Sequence, residues 1–544
     1  MLTKIRRLPI SGMLIVAVSL LSAIRLLVYT SEFSVNMMFW DQWDFYRPLF
    51  DGSGLIEAFR WQHGPHRQGL GAILIGVVAG LTEWDGRGDA FLVAGALILS
   101  TVLALWLKYR LIGKWSAFDM WIPVLFLSLG QYELVTIVPN VAAGALPLML
   151  VLALALALTL KGTRTQALAL VVIGFLLLYT GYGFLPASVL PLLFLYRALR
   201  PAAAGFDAAS RPIWIAALIA SLASIVSYYV DWKFTAAVAC YGTSQIDPLQ
   251  YVEFSGLMIG QGFGLVPVAD QIVPANLFAM TVGIGLAVGS AGIAVMAGTT
   301  RVGVIFATLI GFSLVLVVST AIGRVCLGAL GQPLSSRYMT LVLPMILGVY
   351  LWAATGARSR HLVIGCGILG LIALSQVGPF FRDPNILLPV LYRNARLEWK
   401  SCYLGTLDPY KCDALASQQM YPSTERIIGR LRYLESHRLN LFKGVPWDVE
   451  IKNPEDGSRI QPGAIDLVGT VNPPDFVRYQ LQWGVGEFPN DWNWLSGPHL
   501  AIVRDGSLGR WETSGLAPGV YTVRLTAFTA DGRQRVSVVR LVQP

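Results

Sequence analysis

Long apolar runs alternate with short polar segments over the first 380 residues, and this pattern predicts membrane-spanning helices. A helix needs about 20 apolar residues to cross the hydrocarbon core of a bilayer. The first run, from about Pro9 to Tyr29, is long for a signal peptide and ends in no small-residue cleavage site. Further runs that approach the required length occupy residues 89–107, 118–137, 141–160, 166–182, 183–197, 212–230, 275–298, 302–320, 338–355 and 362–380.

Basic residues between the runs indicate their orientation, because Lys and Arg are enriched in cytoplasmic loops. They lie at Lys4, Arg6 and Arg7, at Lys108, Arg110 and Lys114, at Lys161 and Arg164, at Arg197, Arg200 and Arg211, at Arg301, and at Arg358 and Arg360. All these clusters share one side only if the shorter, Gly-rich run 68–82 does not cross the bilayer. We therefore predict about eleven spans plus a short re-entrant or interfacial helix, with residues 31–67, 231–272, 321–337 and the C-terminal part on the outer side. Counting 68–82 as a span would reverse everything downstream.

Composition agrees with a polytopic membrane protein. Hydrophobic residues make up 55% of the chain and charged residues 13%, about half the roughly 25% that is usual in soluble proteins. A soluble enzyme and a disordered chain are therefore excluded. The net charge of +9 is explained by the basic cytoplasmic loops, and no nucleic-acid partner is expected.

The C-terminal part has a different pattern. Alternating segments that begin at Ala464, Tyr479 and Tyr521 predict short strands separated by turn residues. We predict three domains: a transmembrane helical bundle over 1–381, a helical connector over 382–444, and an all-β sandwich of the immunoglobulin or fibronectin type over 445–544. Cys402 and Cys412 would form a disulfide if their segment lies outside the cytoplasm, and a reduced pair is the alternative. Cys240, Cys326 and Cys366 are scattered.

The first outer loop contains the most informative candidate chemistry. Asp41 and Asp44 are three residues apart and would share one face of a helix, and the interleaved aromatic residues predict that this helix lies on the membrane interface. His63, His66 and Arg67 follow in the same loop. A carboxylate beside aromatic surface suits a base that removes a proton from a sugar hydroxyl. Alternatively, Asp41 caps a helix and the histidines are merely wetted at the interface.

These motifs resemble the GT-C superfamily of polyprenyl-phosphate-sugar-dependent glycosyltransferases, and more closely a bacterial group with a Trp-Asp-Glu-Trp-like motif followed by His-x-x-His-Arg. Residues 41–44 (Asp-Gln-Trp-Asp) and 63–67 (His-Gly-Pro-His-Arg) occupy those places, with Gln42 where an acidic residue is common. Residues 130–133 (Gly-Gln-Tyr-Glu) and 335–338 (Ser-Ser-Arg-Tyr, after Gly323-Arg324) match the same group. The resemblance covers about residues 1–420.

The resemblance implies an inverting membrane glycosyltransferase in the bacterial cytoplasmic membrane. It would move a sugar from a polyprenyl-phosphate donor to an outer-face acceptor, a lipid-linked glycan or a cell-envelope polysaccharide. Asp41 would be the base, and Asp44 would orient it or share a divalent cation, Mg²⁺ or Mn²⁺, with it. The expected substrate-binding residues are His63, His66, Arg67, Glu133, Arg324, Arg337 and Tyr338.

Other interpretations of these residues stay open at the level of sequence. Glu133 could form a structural ion pair with Arg25, and Arg337 could anchor a helix start at the head groups. The extracytoplasmic sandwich would dock the acceptor or shield the active face. A transporter or flippase of lipid-linked sugars, or a non-catalytic scaffold that presents the sandwich, are the alternative functions.

Overall fold

The computed structural model describes residues 9–236, 238, 240–241, 246–265, 274–298, 300–375, 384–446 and 448–544. It divides into two compact units, one of Met1–Val35 with Asp41–Leu391 and one of Asn36–Trp40 with Tyr392–Pro544. The basic residues at 4, 6 and 7, the end of the last predicted span and the predicted boundary between residues 381 and 382 lie outside the described residues.

The first unit is helical, as predicted. Its helices are α1 (Ile10–Phe33), α2 (Gln42–Phe45), α3 (Arg47–Phe50), α4 (Leu55–Arg60), α5 (Gly69–Thr82), α6 (Arg87–Ile112), α7 (Trp121–Phe126), α8 (Ala145–Ala157), α9 (Thr163–Leu178), α10 (Phe184–Leu199), α11 (Arg211–Tyr229), α12 (Pro248–Gln261), α13 (Pro274–Met296), α14 (Arg301–Arg324), α15 (Met339–Thr355) and α16 (Arg358–Leu374). A two-stranded hairpin, β1 (Gln62–His63) and β2 (His66–Arg67), lies between α4 and α5.

Six of the helical segments in the described residues are long and apolar enough to cross a membrane. They are Ile10–Phe33, Arg87–Ile112, Ala208–Tyr229, Asn276–Met296, Arg301–Leu327 and Ser336–Thr355. The other predicted spans form shorter helices, such as Ala145–Ala157 and Thr163–Leu178. The predicted run 118–137 is not one helix, because it breaks after Phe126 and resumes as the π-helical turn Glu133–Ile137.

Helix α5 has 14 residues, about 21 Å of helix. It begins directly after the hairpin, and at its other end Trp84 packs against Tyr46 (ring centroids 5.5 Å) and Phe50 (5.0 Å). Phe45, next to Tyr46, packs against His63 of the hairpin (5.5 Å). Both ends of α5 are therefore held by the same loop.

The core of the first unit is apolar, and a proline inside one of its buried helices is accommodated by a neighbouring side chain. Pro344 lies inside α15, where its ring disturbs the regular ladder of hydrogen bonds. The Ser313 hydroxyl of α14 accepts a hydrogen bond from the Met345 amide (3.1 Å) and donates one to the Leu341 carbonyl (2.7 Å). It thus connects the two backbone groups that would otherwise pair directly. Backbone groups at membrane depth need such partners.

The second unit combines helices with two antiparallel sheets. Its helices are α17 (Pro384–Thr406, which begins in the first unit), α18 (Pro409–Leu415) and α19 (Glu425–Ser436), and its strands are β3 (Val449–Asn453), β4 (Ala464–Val471), β5 (Phe476–Val485), β6 (Asn493–His499), β7 (Val503–Glu512), β8 (Gly519–Thr529) and β9 (Gln534–Gln543). The strand orders are β3-β4-β7 and β6-β5-β8-β9. Both sheets contribute to one buried cluster that includes Leu467, Leu481, Trp511 and Val523. The predicted strands from Ala464, Tyr479 and Tyr521 are confirmed.

Two disulfides are present among the described residues. Cys402 and Cys412 are bonded, which confirms the predicted bridge. A second bridge joins Cys240 to Cys326, and the sequence alone did not predict it. Cys366 is a free, exposed thiol.

Candidate functional site

The first loop places Asp41 at the start of the one-turn helix α2. The Asp41 carbonyl accepts hydrogen bonds from the amides of Asp44 (2.9 Å) and Phe45 (3.0 Å). Its side chain makes no capping hydrogen bond. The Asp41 carboxylate therefore does not cap the helix, which was the alternative interpretation. Both aspartates are half-buried.

Most aromatic rings of this loop are buried inside the protein rather than laid on its surface, and the location of the helix at the membrane interface stays a prediction. Trp43, Phe45 and Tyr46 are 0–3% exposed, and their rings pack inside the protein. Trp43 stacks on Phe50 (6.4 Å). Burial of these rings fixes the backbone that carries both aspartates, because well-packed aromatic side chains leave little room for movement.

A buried carboxylate that the sequence analysis missed holds the same turn. Asp89, in the first turn of α6, is 2% exposed. It accepts hydrogen bonds from Gln42 Nε2 (3.3 Å) and from the Tyr46 hydroxyl (3.2 Å). Gln42 therefore acts as a donor to a buried acid.

The histidine motif forms a hairpin. His63 and His66 are directly paired across β1 and β2, and the turn between them contains Gly64 with φ +56°, a left-handed conformation that suits glycine. Burial, together with the nearby charges of Arg324 and His63, lowers the pKa of His66 to about 4. His66 is therefore neutral at pH 7 and can exchange hydrogen bonds, but it is not a cation for phosphate.

Arg67 holds the hairpin rather than facing an open site. Its guanidinium donates hydrogen bonds to the backbone carbonyls of Tyr228 (2.6 Å), Val230 (2.5 Å) and Arg60. The side chain is 3% exposed. Three of its five N–H donors thus have backbone acceptors, which favours a positioning role, and the expected substrate-binding role of Arg67 stays a prediction.

The two later motifs meet each other in the fold. Glu133 pairs with Arg337 (3.6 Å) and accepts a hydrogen bond from the Ser335 hydroxyl (2.5 Å). The Glu133 amide donates to the Ser336 hydroxyl (2.9 Å). The partner of Glu133 is thus Arg337 and not Arg25, and Arg337 is held by a carboxylate rather than anchored at the surface.

Residues of these two motifs also interact electrostatically with residues of the first loop. The Arg337 guanidinium lies within electrostatic range of the Asp41 carboxylate as well as of Glu133. Arg324 interacts with both Tyr338 and His66. Predicted residues from four separate segments therefore belong to one charged neighbourhood in the first unit.

Tyr182 is a further member that the sequence analysis missed. Its ring packs against His66 (5.5 Å). It lies between Gly181 and Gly183 in the turn from α9 to α10, and a Cβ at Gly183 would lie 2.1 Å from the Leu177 carbonyl oxygen. The glycine allows the tight turn that brings Tyr182 to the site, so the Gly-Tyr-Gly pattern was the available signal.

One buried donor in this neighbourhood, the Tyr338 hydroxyl, has no hydrogen-bond acceptor among the described residues, and Tyr338 is 0% exposed. The buried Arg337 Nε faces Glu133 Oε1 at 3.6 Å, an ion-pair contact that is longer than a hydrogen bond. Buried polar groups almost always find a partner, and an unpaired one calls for a water, an ion or a ligand. Together with Arg324, these donors form an arrangement that suits an anion such as phosphate.

The carboxylates do not form a metal-ligand set. Within the described residues, no group of three or more His, Cys, Asp and Glu side chains could hold a metal ion. The Arg337 guanidinium lies within electrostatic range of Asp41, and its positive charge disfavours a second cation nearby. The residues present thus fit an anion site better than the expected divalent-cation site, and we derive no step through a metal.

In comparisons with known proteins, no family model, no curated protein and no solved structure matches the chain.

Proposed function

We propose that the protein is an inverting membrane glycosyltransferase of the GT-C type that moves a sugar from a polyprenyl-phosphate donor to an extracytoplasmic acceptor. The observation that carries this proposal is the neighbourhood in which the Arg337 guanidinium, paired with Glu133, lies beside Tyr338, whose buried hydroxyl has no acceptor among the described residues. Asp41 is within electrostatic range of this guanidinium. A base next to an anion-binding group is what transfer from a phosphate leaving group requires.

In the proposed reaction, the Asp41 carboxylate takes the proton of the acceptor hydroxyl. The hydroxyl oxygen attacks the anomeric carbon from the face opposite the phosphate, and the bond between that carbon and the phosphate oxygen breaks. The configuration at the anomeric carbon inverts. Asp44, three residues from Asp41 on the same short helix, orients the base or the incoming hydroxyl.

The departing polyprenyl phosphate gains negative charge as the bond breaks. This charge would be stabilised by hydrogen bonds from Arg337, Arg324 and the Tyr338 hydroxyl, because guanidinium and O–H groups donate to phosphate oxygens. Glu133 holds Arg337 in place through the 3.6 Å ion pair. Neutral His66 and Tyr182 would contact sugar hydroxyls. His63, which is paired with His66 across the hairpin, would hold His66 in position.

The positions of basic residues support the predicted topology. Arg301 donates to the Leu158 carbonyl (3.2 Å), and Arg197 donates to Gln166 Oε1 (3.0 Å). Lys108 forms an ion pair with Asp119. Segments predicted to be cytoplasmic thus meet each other, as the predicted outer segments do at the site. That both ends of α5 are held by the first loop supports a helix that does not cross, and about eleven spans remain our proposal.

The disulfides support an outer location for three segments. Cys240, Cys326 and Cys402 lie in the second outer loop, the third outer stretch and the C-terminal part, and each is bonded. Disulfides form in the periplasm and extracellular space and are rare in the cytosol. This pattern favours an extracytoplasmic C-terminal unit in the bacterial cytoplasmic membrane.

Within the second unit, the strands support an immunoglobulin- or fibronectin-like sandwich. The Tyr521 hydroxyl, near the start of β8, donates to the Ala517 carbonyl four residues upstream (2.7 Å). This is the tyrosine corner found in such modules, and Trp483 on β5 packs against Trp511 (5.7 Å) in the position of their buried tryptophan. We propose that the module docks the acceptor glycan or shields the active face.

The test is sugar transfer by the purified full-length protein in liposomes. The membrane would contain a polyprenyl-phosphate sugar labelled in the sugar, and lipid-linked glycans from bacterial membranes would serve as acceptors. We expect a labelled glycan whose new linkage has the opposite anomeric configuration to the donor. Translocation of the donor across the bilayer without any labelled product would instead support the flippase alternative.

A further inference from the structure

We propose that an exposed apolar path along α11 and the loop after it binds the isoprenoid chain of the lipid-linked donor. This inference rests on the proposed function, and it adds the surface that holds the lipid tail beside the site where the phosphate would bind.

The path begins as a regular stripe on α11. Residues spaced four, three, four and three positions apart fall on one face of a helix, and here all five members of that set are apolar or aromatic and between 47% and 66% exposed. They are Ile215, Ile219, Leu222, Val226 and Tyr229. The segment Ala208–Tyr229 is a candidate membrane span, so this face meets hydrocarbon.

The stripe continues beyond the helix as four aromatic rings, which we call the aromatic strip: Tyr229, Trp232, Phe234 and Tyr241. Successive ring centroids lie 5.5, 6.2 and 5.9 Å apart. Phe234 is 60% exposed and Tyr241 is 40% exposed. Exposed rings in continuous contact form an apolar surface that a soluble loop would normally bury.

The strip is fastened to the histidine hairpin of the candidate site. Trp232 Nε1 donates to the Pro65 carbonyl (3.0 Å), and Pro65 lies between His63 and His66. Gln62 Nε2 donates to the Lys233 carbonyl (2.5 Å). At the far end of the strip, the disulfide from Cys240 leads to Cys326, two residues after Arg324. The path thus leads from a membrane-facing helix to the hairpin and to the anion-binding residues.

The chemistry of the strip favours a hydrocarbon chain over a glycan. Two polar side chains beside the strip are already engaged. Asp231 is paired with Arg60 of α4 (2.5 Å), and Gln62 also donates to the Gly64 carbonyl (2.8 Å). What remains exposed on Phe234 and along α11 is apolar. A branched isoprenoid chain matches this surface, and its phosphate would then reach Arg324 and Arg337.

The experiment measures binding of two lipid phosphates that share a head group. The full-length protein is placed in phosphatidylcholine nanodiscs and titrated with undecaprenyl phosphate or with citronellyl phosphate, which has only two isoprene units. For Phe234→Ala and Tyr241→Ala we expect about tenfold weaker binding of undecaprenyl phosphate and unchanged binding of citronellyl phosphate. Unchanged binding of the short lipid also shows that the variants are folded.

Two control variants distinguish binding of the lipid tail from binding of the head group and from general contact with bulk lipid. Phe91→Ala removes a ring of similar exposure (41%) on α6, away from the strip, and should leave the affinity for both lipids unchanged. Arg337→Ala should weaken the binding of both lipids.

Any other outcome contradicts the inference. If the strip variants keep the wild-type preference for the long chain, or if Phe91→Ala loses as much of it, the strip contacts only bulk lipid or a glycan. If the wild type binds both lipids equally, there is no tail site although the phosphate site stands. If it binds neither, the proposed donor fails together with this inference.

Discussion

Gln42 donates a hydrogen bond to the buried carboxylate of Asp89, with Nε2 and Oδ2 3.3 Å apart. The relationship gives the Gln42 amide a structural role, as the donor to a buried acid. Two carboxylates at this distance inside the protein would repel each other or force one to bind a proton. The amide satisfies Asp89 and holds the turn on which Asp41 and Asp44 lie.

Gln42→Glu should therefore destabilise the protein, by about 2–3 kcal/mol, because it buries a second carboxylate beside the first. The exchange Gln42→Glu with Asp89→Gln should recover part of the stability, since it restores one donor and one acceptor. Thermal unfolding in detergent measures both. Equal stability of Gln42→Glu and the wild type would mean that the two side chains do not interact.

Tyr338→Phe should weaken binding of undecaprenyl phosphate about tenfold without lowering thermal stability. The Tyr338 hydroxyl is buried with no acceptor among the described residues, so its removal costs no internal hydrogen bond, whereas a bond to a charged phosphate contributes about 1.5–3 kcal/mol. Tyr350→Phe is the matched control, because the Tyr350 hydroxyl donates to Asp119 (2.8 Å). That variant should lose stability and keep the lipid affinity. A stability loss in Tyr338→Phe with unchanged affinity would contradict the anion site.

His66 should make the protein less stable in acid. Its pKa is lowered to about 4, below the ordinary value near 6.5, so the unfolded chain binds the proton more readily. The associated stability is present above pH 6.5 and is lost as the pH falls toward 4, by about 2 kcal/mol between pH 7 and pH 5. The melting temperature of His66→Gln should fall less over this interval than that of the wild type. Parallel melting curves for the two proteins would show that His66 does not titrate in this range.

The disulfide between Cys240 and Cys326 should matter more for the site than the one between Cys402 and Cys412. It closes 86 residues against 10, and the stabilisation by a cross-link grows with loop length. It also ends beside Arg324. Replacing both of its cysteines by serine should lower thermal stability and lipid-phosphate affinity together. The same exchange at 402 and 412 should leave the affinity unchanged, and loss of affinity in both variants would argue for a general folding effect.

The sequence predicted where helices and strands form better than how long they are. Apolar runs located the helices because hydrophobicity alone decides burial in lipid or in the core. Run length did not predict that 118–137 breaks after Phe126, since local turn geometry decides that. The pairing of Cys240 with Cys326 depends on a contact between distant segments, which spacing does not reveal.

The order of the motifs predicted which residues belong to the candidate site. Their individual roles could be inferred only from the contacts that they make in the fold. Arg67 and Arg337 have the same side chain, yet backbone carbonyls engage the first and a carboxylate holds the second. Asp89 was missed although an acid in the first turn of an apolar helix is costly and therefore informative. Tyr182 was missed because its Gly-Tyr-Gly pattern indicates a tight turn but does not by itself indicate a site.

The most direct test of the account is the single-turnover rate of sugar transfer by Asp41→Asn, measured beside binding of the donor. Asparagine keeps the size of the side chain but cannot accept the proton from the acceptor hydroxyl. We predict that the transfer rate falls at least about a thousandfold while donor affinity and thermal stability stay near those of the wild type. A transfer rate within a few-fold of the wild type would remove Asp41 from the mechanism and contradict the proposed function of the site.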